Sequence, residues 1–111
     1  MRQDNRTVRI VYALRKPDFR DEFLKLMNEL RTVTRMVMRA ADAADGEYSM
    51  GEVAGRPDCF EEVIRFKTEK ERSRFDDLYC QDRAAGAIQG LLDELLDASR
   101  SDYAVVAGAG R

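Results

Sequence analysis

"CFEEVIRFKTEKERSRF", residues 59–75, changes its period halfway along, and that change decides the fold. From Cys59 to Lys67 the residues alternate: Phe60, Ile64 and Phe66 share one parity, and Cys59, Val63 and Arg65 share the other. Alternation of this kind marks a strand with two different faces. From Thr68 the pattern becomes helical. "TEKE" (68–71) has the form of a capping box, in which the threonine hydroxyl and the glutamate carboxylate satisfy the free amides of a helix start. A strand therefore runs straight into a capped helix.

Upstream, "GRPD" (55–58) carries the Gly/Pro/Asp chemistry of a turn. "EYSMGEVAG" (47–55) alternates, with Tyr48 and Met50 on one face, and is the expected hairpin partner. Residues 18–44 place Phe19, Phe23, Leu26, Met27, Leu30, Val33, Val37 and Ala41 on one helical face. Asp18 is the expected cap and Asp45-Gly46 the expected stop, with a kink or early end at the β-branched run Thr32-Val33-Thr34. "TVRIVYALRK" (7–16) reads as a first strand, apolar on both parities and ended by Pro17.

Downstream, the helix that starts at Thr68 meets Gly86 and Gly90, where a kink or a division into two pieces is expected. Ile88, Leu91, Leu92, Leu95 and Leu96 then restore an apolar face, and "SDYAVVAGAG" (101–110) reads as a last strand. The order is that of a ferredoxin-like α+β fold, βαββαβ. Such a fold has an antiparallel four-stranded sheet, its first and third strands central, and two helices on one face. The 111 residues form one domain, 1–111.

Parity sends Val8, Ile10, Tyr12, Phe60, Ile64 and Phe66 toward the helices. It leaves Val11, Ala13, Val53, Val63, Ala104 and Val106 on the opposite face, among Arg9, Glu61 and Arg65. An apolar stripe of that size calls for a cover. A twofold contact uses the same stripe twice, so a homodimer through the open sheet face is expected.

Composition removes whole classes of chemistry. The chain has no histidine, which excludes imidazole bases and most haem and zinc sites; no cofactor or metal is expected. Cys59 and Cys80 lack CxxC spacing and are expected to be separate thiols, buried as small apolar groups, with a redox pair as the alternative reading. A net charge of -2 offers no bulk attraction to nucleic acid or an anionic membrane, and neither is an expected partner. No apolar run has the length of a membrane span, and "MRQDNRTVRI" has no apolar core of the signal-peptide kind, so a cytoplasmic location is expected.

"VRIVYALRKPDFRDEFLKLMNELR" (8–31) and "CFEEVIRFKTEKERSRFDDL" (59–78) resemble the opening strand–helix and the later strand–helix of dimeric α+β barrel proteins. These are the antibiotic-biosynthesis monooxygenase-like, stress-responsive and NIPSNAP-like domains. The resemblance implies a dimer with two sheets facing each other. It also implies a small, mostly apolar or aromatic metabolite bound between sheet and helices, with cofactor-independent monooxygenase or isomerase chemistry. The Pro-Gly segment usual before the second strand is replaced by "ADAADGE" (41–47), and the histidine of haem-degrading members is absent. The tryptophan of some cofactor-free oxygenases is absent as well. The opposing reading is a non-catalytic dimeric assembly or regulatory module.

Within that frame Glu62 is the candidate catalytic residue. It shares parity with Phe60, Ile64 and Phe66, and a carboxyl pointing into the sheet–helix cleft would be a general acid or base with a raised pKa. A wet position near the hairpin end, or pairing with an arginine, is the plainer reading. Tyr12 and Tyr103 are the candidate ligand-binding residues, with Tyr48 as a third hydroxyl over the cleft; packed rings are the plainer reading. Arg9, Glu61 and Arg65 read either as an anion site or as cross-strand charge pairs.

Overall fold

The computed structural model describes residues 6–106, with side chains as far as Asp102. Its elements are β1 (Thr7–Ala13), a single 3-10 turn (Pro17–Phe19), α1 (Arg20–Ala40), β2 (Glu47–Val53), β3 (Arg56–Arg65), α2 (Glu69–Tyr79), α3 (Arg83–Asp93) and β4 (Asp102–Val106). The sheet is antiparallel throughout, in the order β2-β3-β1-β4, so the first and third strands are central.

The hydrophobic parity sorts the faces as the alternation requires. Val8, Tyr12, Phe60, Ile64 and Phe66 are buried in the helix-side core, and Ile10 is half-buried beside them. On the other parity Arg9 and Arg65 are exposed, and Glu61 and Val63 are half-buried. Arg9 donates to Glu61 in a cross-strand ion pair, which settles that pair as a register contact. The outer apolar stripe is narrower than expected. Val11 and Ala13 are already covered within the chain, and the side chains of Ala104 and Val106 lie outside the described residues. Part of that cover is the segment before β4: Ser101 accepts a bond from the Ala13 amide, and Asp97 donates its amide to the Ala13 carbonyl.

Several boundaries differ from expectation, each for a local reason. Asp18 caps nothing; Pro17 starts a 3-10 turn that hands over to α1 at Phe19, with no side-chain cap. The run Thr32-Val33-Thr34 stays helical, because Thr34 is buried and Val33 packs against both apolar clusters. Helix α1 stops at Ala41 rather than at Gly46, and the chain turns at Asp42, φ 57. Gly46 instead permits a close approach: a Cβ there would stand 3.0 Å from the Arg65 carbonyl oxygen. The hairpin turn is Ala54-Gly55, with Gly55 at φ +76, and Arg56-Pro57-Asp58 already belongs to β3 beside an irregularity at Glu52/Val53. Pro57 is tolerated there because the ladder is broken at that point.

The second helical region is divided into two helices, one of the two outcomes expected there, so the described residues contain three α-helices where the two-helix form of the fold has two. The division does not fall at the glycines. Helix α2 ends at Cys80, and Asp82 caps α3 by accepting a 2.9 Å bond from the Ala85 amide. Gly86 and Gly90 lie inside α3, exposed, with open space where a Cβ would stand. Thr68 caps α2 through the Glu71 amide at 3.1 Å, and the Glu71 carboxylate reaches back toward the Lys67 amide. Leu95 and Leu96 fall beyond α3, where Leu96 bridges to Leu14 and closes the core.

This division is testable by urea unfolding. Asp82→Ala should cost about 1 kcal/mol by removing the cap. Gly86→Ala and Gly90→Ala should each stabilise by about 0.5–1 kcal/mol. Destabilisation by both alanines would place the break at the glycines after all.

Candidate functional site

Glu62 lies near the middle of β3, opposite Ile10 on β1 and Met50 on β2. Its neighbours two places either way are Phe60 and Ile64, which pair with Tyr12 and Tyr48 respectively. Those two tyrosines are therefore diagonal neighbours of Glu62, one on each flanking strand. A diagonal span of about 7–8 Å suits a long aromatic side chain reaching for a shorter one. Tyr12 donates to Glu62 Oε1 at 2.9 Å, and Tyr48 donates to Glu62 Oε2.

Glu62 is only 2 % exposed, and among the described residues its carboxyl has no arginine partner. It sits on a seam. One apolar cluster gathers Tyr12, Leu14, Phe23, Met27, Leu30, Phe60 and Leu92; a second gathers Val8, Val37, Met38, Ile64, Phe66 and Phe75. Ile10, Val33 and Tyr79 touch both. Burial pushes the Glu62 carboxyl above the usual carboxylate range, and the Tyr48 and Tyr12 donors draw it part of the way back. Burial, reinforced by the Glu62 charge, pushes both phenols far up, so they remain protonated donors at neutral pH.

A pocket of about 330 Å³ opens over this carboxyl, between the sheet and helices α1 and α2. Val8, Ile10, Ile64 and Phe75 form apolar walls; Thr34, Tyr79 and Cys80 add polar groups, and Asp76, ion-paired with Arg72, adds a second carboxylate. Gln89 donates to the Tyr79 hydroxyl at 3.2 Å and so fixes it at the pocket's side. The arrangement offers a mostly apolar enclosure of small-metabolite size with a buried carboxyl, Glu62, among its lining. Among the described residues, no group of three or more metal-ligating side chains converges.

The structure thus brings Glu62 and Tyr12 together, adds Tyr48 to them, and leaves the Tyr103 side chain outside the described residues. Tyr103 is paired with Ile10 through its backbone. Sequence reading makes Thr34 a weak point of its helix and Cys80 a separate thiol, and places neither of them, nor Tyr79, at a pocket. Their signal was the helical face that carries them, legible only once α1 and α2 are docked. Cys59 and Cys80 are both free thiols; Cys59 is buried as expected, but Cys80 is exposed at the end of α2, its Sγ donating to the Asp76 carbonyl at 3.1 Å.

No protein-family model and no curated protein matches the chain. Solved structures do. An antibiotic biosynthesis monooxygenase superposes with a TM-score of 0.64 at 20% identity, over 92% of this chain and 94% of its own. The protein Rv0793 from Mycobacterium tuberculosis does so with 0.61 at 21%, over 93% and 92%. A dimeric ferredoxin-like protein from an uncultured marine organism gives 0.63 at 10%, over 92% and 87%. The fold thus defines the class, a ferredoxin-like α+β protein. More particularly, its structural neighbours include three named for antibiotic biosynthesis monooxygenase, and at these identities the likeness speaks for the fold alone. No helix is long and apolar enough to cross a membrane among the described residues.

The raised carboxyl makes a stability prediction. A folded-state pKa above the unfolded value means that the folded chain holds the proton more tightly. Stability is then lost as pH climbs from the unfolded value of about 4.3 through the folded one. Wild type should lose stability relative to Glu62→Gln over that climb, measured by urea unfolding at a series of pH values. Parallel curves would mean that Glu62 titrates alike folded and unfolded.

Proposed function

We propose that this protein is a homodimeric small-molecule-binding protein of the dimeric α+β barrel type. It takes an aromatic or otherwise apolar metabolite into the pocket over Glu62. The observation that carries the reading is a buried carboxyl, hydrogen-bonded by two tyrosines, at the floor of a mostly apolar pocket. Glu62 is the general acid/base. With its pKa raised it can take a proton from a phenol, or from a carbon next to a carbonyl, and give it back. Returned at a different position, the proton completes an isomerisation. In the monooxygenase version the deprotonated substrate itself supplies the electrons to molecular oxygen. Tyr12 and Tyr48 position the carboxyl, and Tyr103 belongs to the proposed lining through its place on β4 opposite Ile10.

The dimer is proposed to form through the outer sheet face, where Val63 and Val53 are half-exposed beside the Arg9–Glu61 pair. The fold shared with a protein described as dimeric supports this. Native mass spectrometry of the purified protein should give two chains, with added mass where a ligand is retained. Val63→Glu, which puts a charged carboxylate from each protomer where an apolar contact would form, should give a folded monomer; a wild-type monomer would sink the barrel reading.

Chemistry is tested by screening phenols, quinols and enolisable ketones for turnover. Glu62→Gln should lower the rate by about 100-fold or more with the fold intact, and Tyr48→Phe should lower it less. Ligand binding without turnover, unchanged in Glu62→Gln, would favour the non-catalytic module.

A further inference from the structure

Helix α1 carries Arg31, Arg35 and Arg39 in an i, i+4, i+8 series, all exposed and none ion-paired among the described residues. They stand over strand β2, which is the edge of the sheet: β3 lies on one side, and no described strand on the other. Two depressions run end to end between the helix and that strand. The first, about 280 Å³, is lined by Arg31 and Arg35 with Asn28, Tyr48 and Ser49; the second, about 330 Å³, by Arg35 and Arg39 with Gly46 and Tyr48. Neither contains a carboxylate, although the chain as a whole is acidic. Three unneutralised guanidinium groups on a chain of net charge -2 form a local field that favours a negative partner.

The spacing narrows the partner. Residues four apart on a helix are about 6 Å apart along its axis, and alternate residues of an extended strand are about 6.7 Å apart. An extended peptide laid along the free edge of β2 would present every second side chain to successive arginines, nearly in step. The open backbone groups of the edge strand would pair with its backbone. We propose that this groove binds an extended acidic peptide segment with carboxylates at alternate positions, added to the sheet at β2. The site lies on the helix side of the sheet edge and does not depend on the pocket over Glu62.

The test is fluorescence anisotropy at low salt with a short labelled peptide alternating glutamate and threonine. Binding should weaken with added salt, and by roughly 2- to 5-fold for each of Arg31→Gln, Arg35→Gln and Arg39→Gln. Glutamine keeps helix propensity, and circular dichroism of each variant checks the fold. Two further peptides, N-methylated on the glutamate or on the threonine amides, test strand pairing; one of the two should lose binding. No binding of the parent peptide, or full binding to the triple variant, would overturn the proposal. So would full binding of both methylated peptides, or inorganic polyphosphate competing as strongly at equal charge, since either would reduce the groove to an unspecific sink for anions.

Discussion

A carboxyl group nearly shut off from water, with a phenol from the strand on either side bonded to it, organises the middle of this sheet. Removing such a group from water costs several kcal/mol by order of magnitude, and hydrogen bonds return only part of that. An apolar residue at the same position would serve the core better. What Glu62 does provide is a constraint on everything around it: β1 and β2 must be in register for both hydroxyls to reach it, and the two apolar clusters must part where it stands. The pocket opens at that parting. A polar group that stability does not explain, placed at the floor of an apolar pocket, is where chemistry is best sought.

Much of this geometry was legible in residues 59–75. Strict alternation assigned Phe60, Glu62, Ile64 and Phe66 to one face because a strand has no other period, and the threonine at 68 located the helix start to the residue. Glu62 could be singled out because it is the one charged residue in that apolar set. Tyr48, by contrast, became a partner only through register, which rests on where the hairpin turns, and Pro57 drew the expected turn too far along the chain.

The helical half was harder for a different reason. Helix propensity is a weak prior, and tertiary burial overrode it at Thr34, while two glycines drew the expected division past the capping aspartate at 82. Asp82 in isolation is one more charged residue in a charged chain. Its significance comes from the free amide of Ala85 three places on, and no composition argument weighs that bond against a continuous helix.

The joint between α2 and α3 separates two tasks. The pocket's floor belongs to the sheet, whose registers hold Glu62 and its tyrosines; part of its rim, Tyr79 and Cys80, belongs to the end of α2 and the short connector after it. Connectors tolerate changes of length and side chain that central strands do not. A lineage carrying this fold can therefore reshape the pocket's rim by altering residues 80 and 81, while the Asp82 cap and the tyrosine-bonded carboxyl beneath are kept.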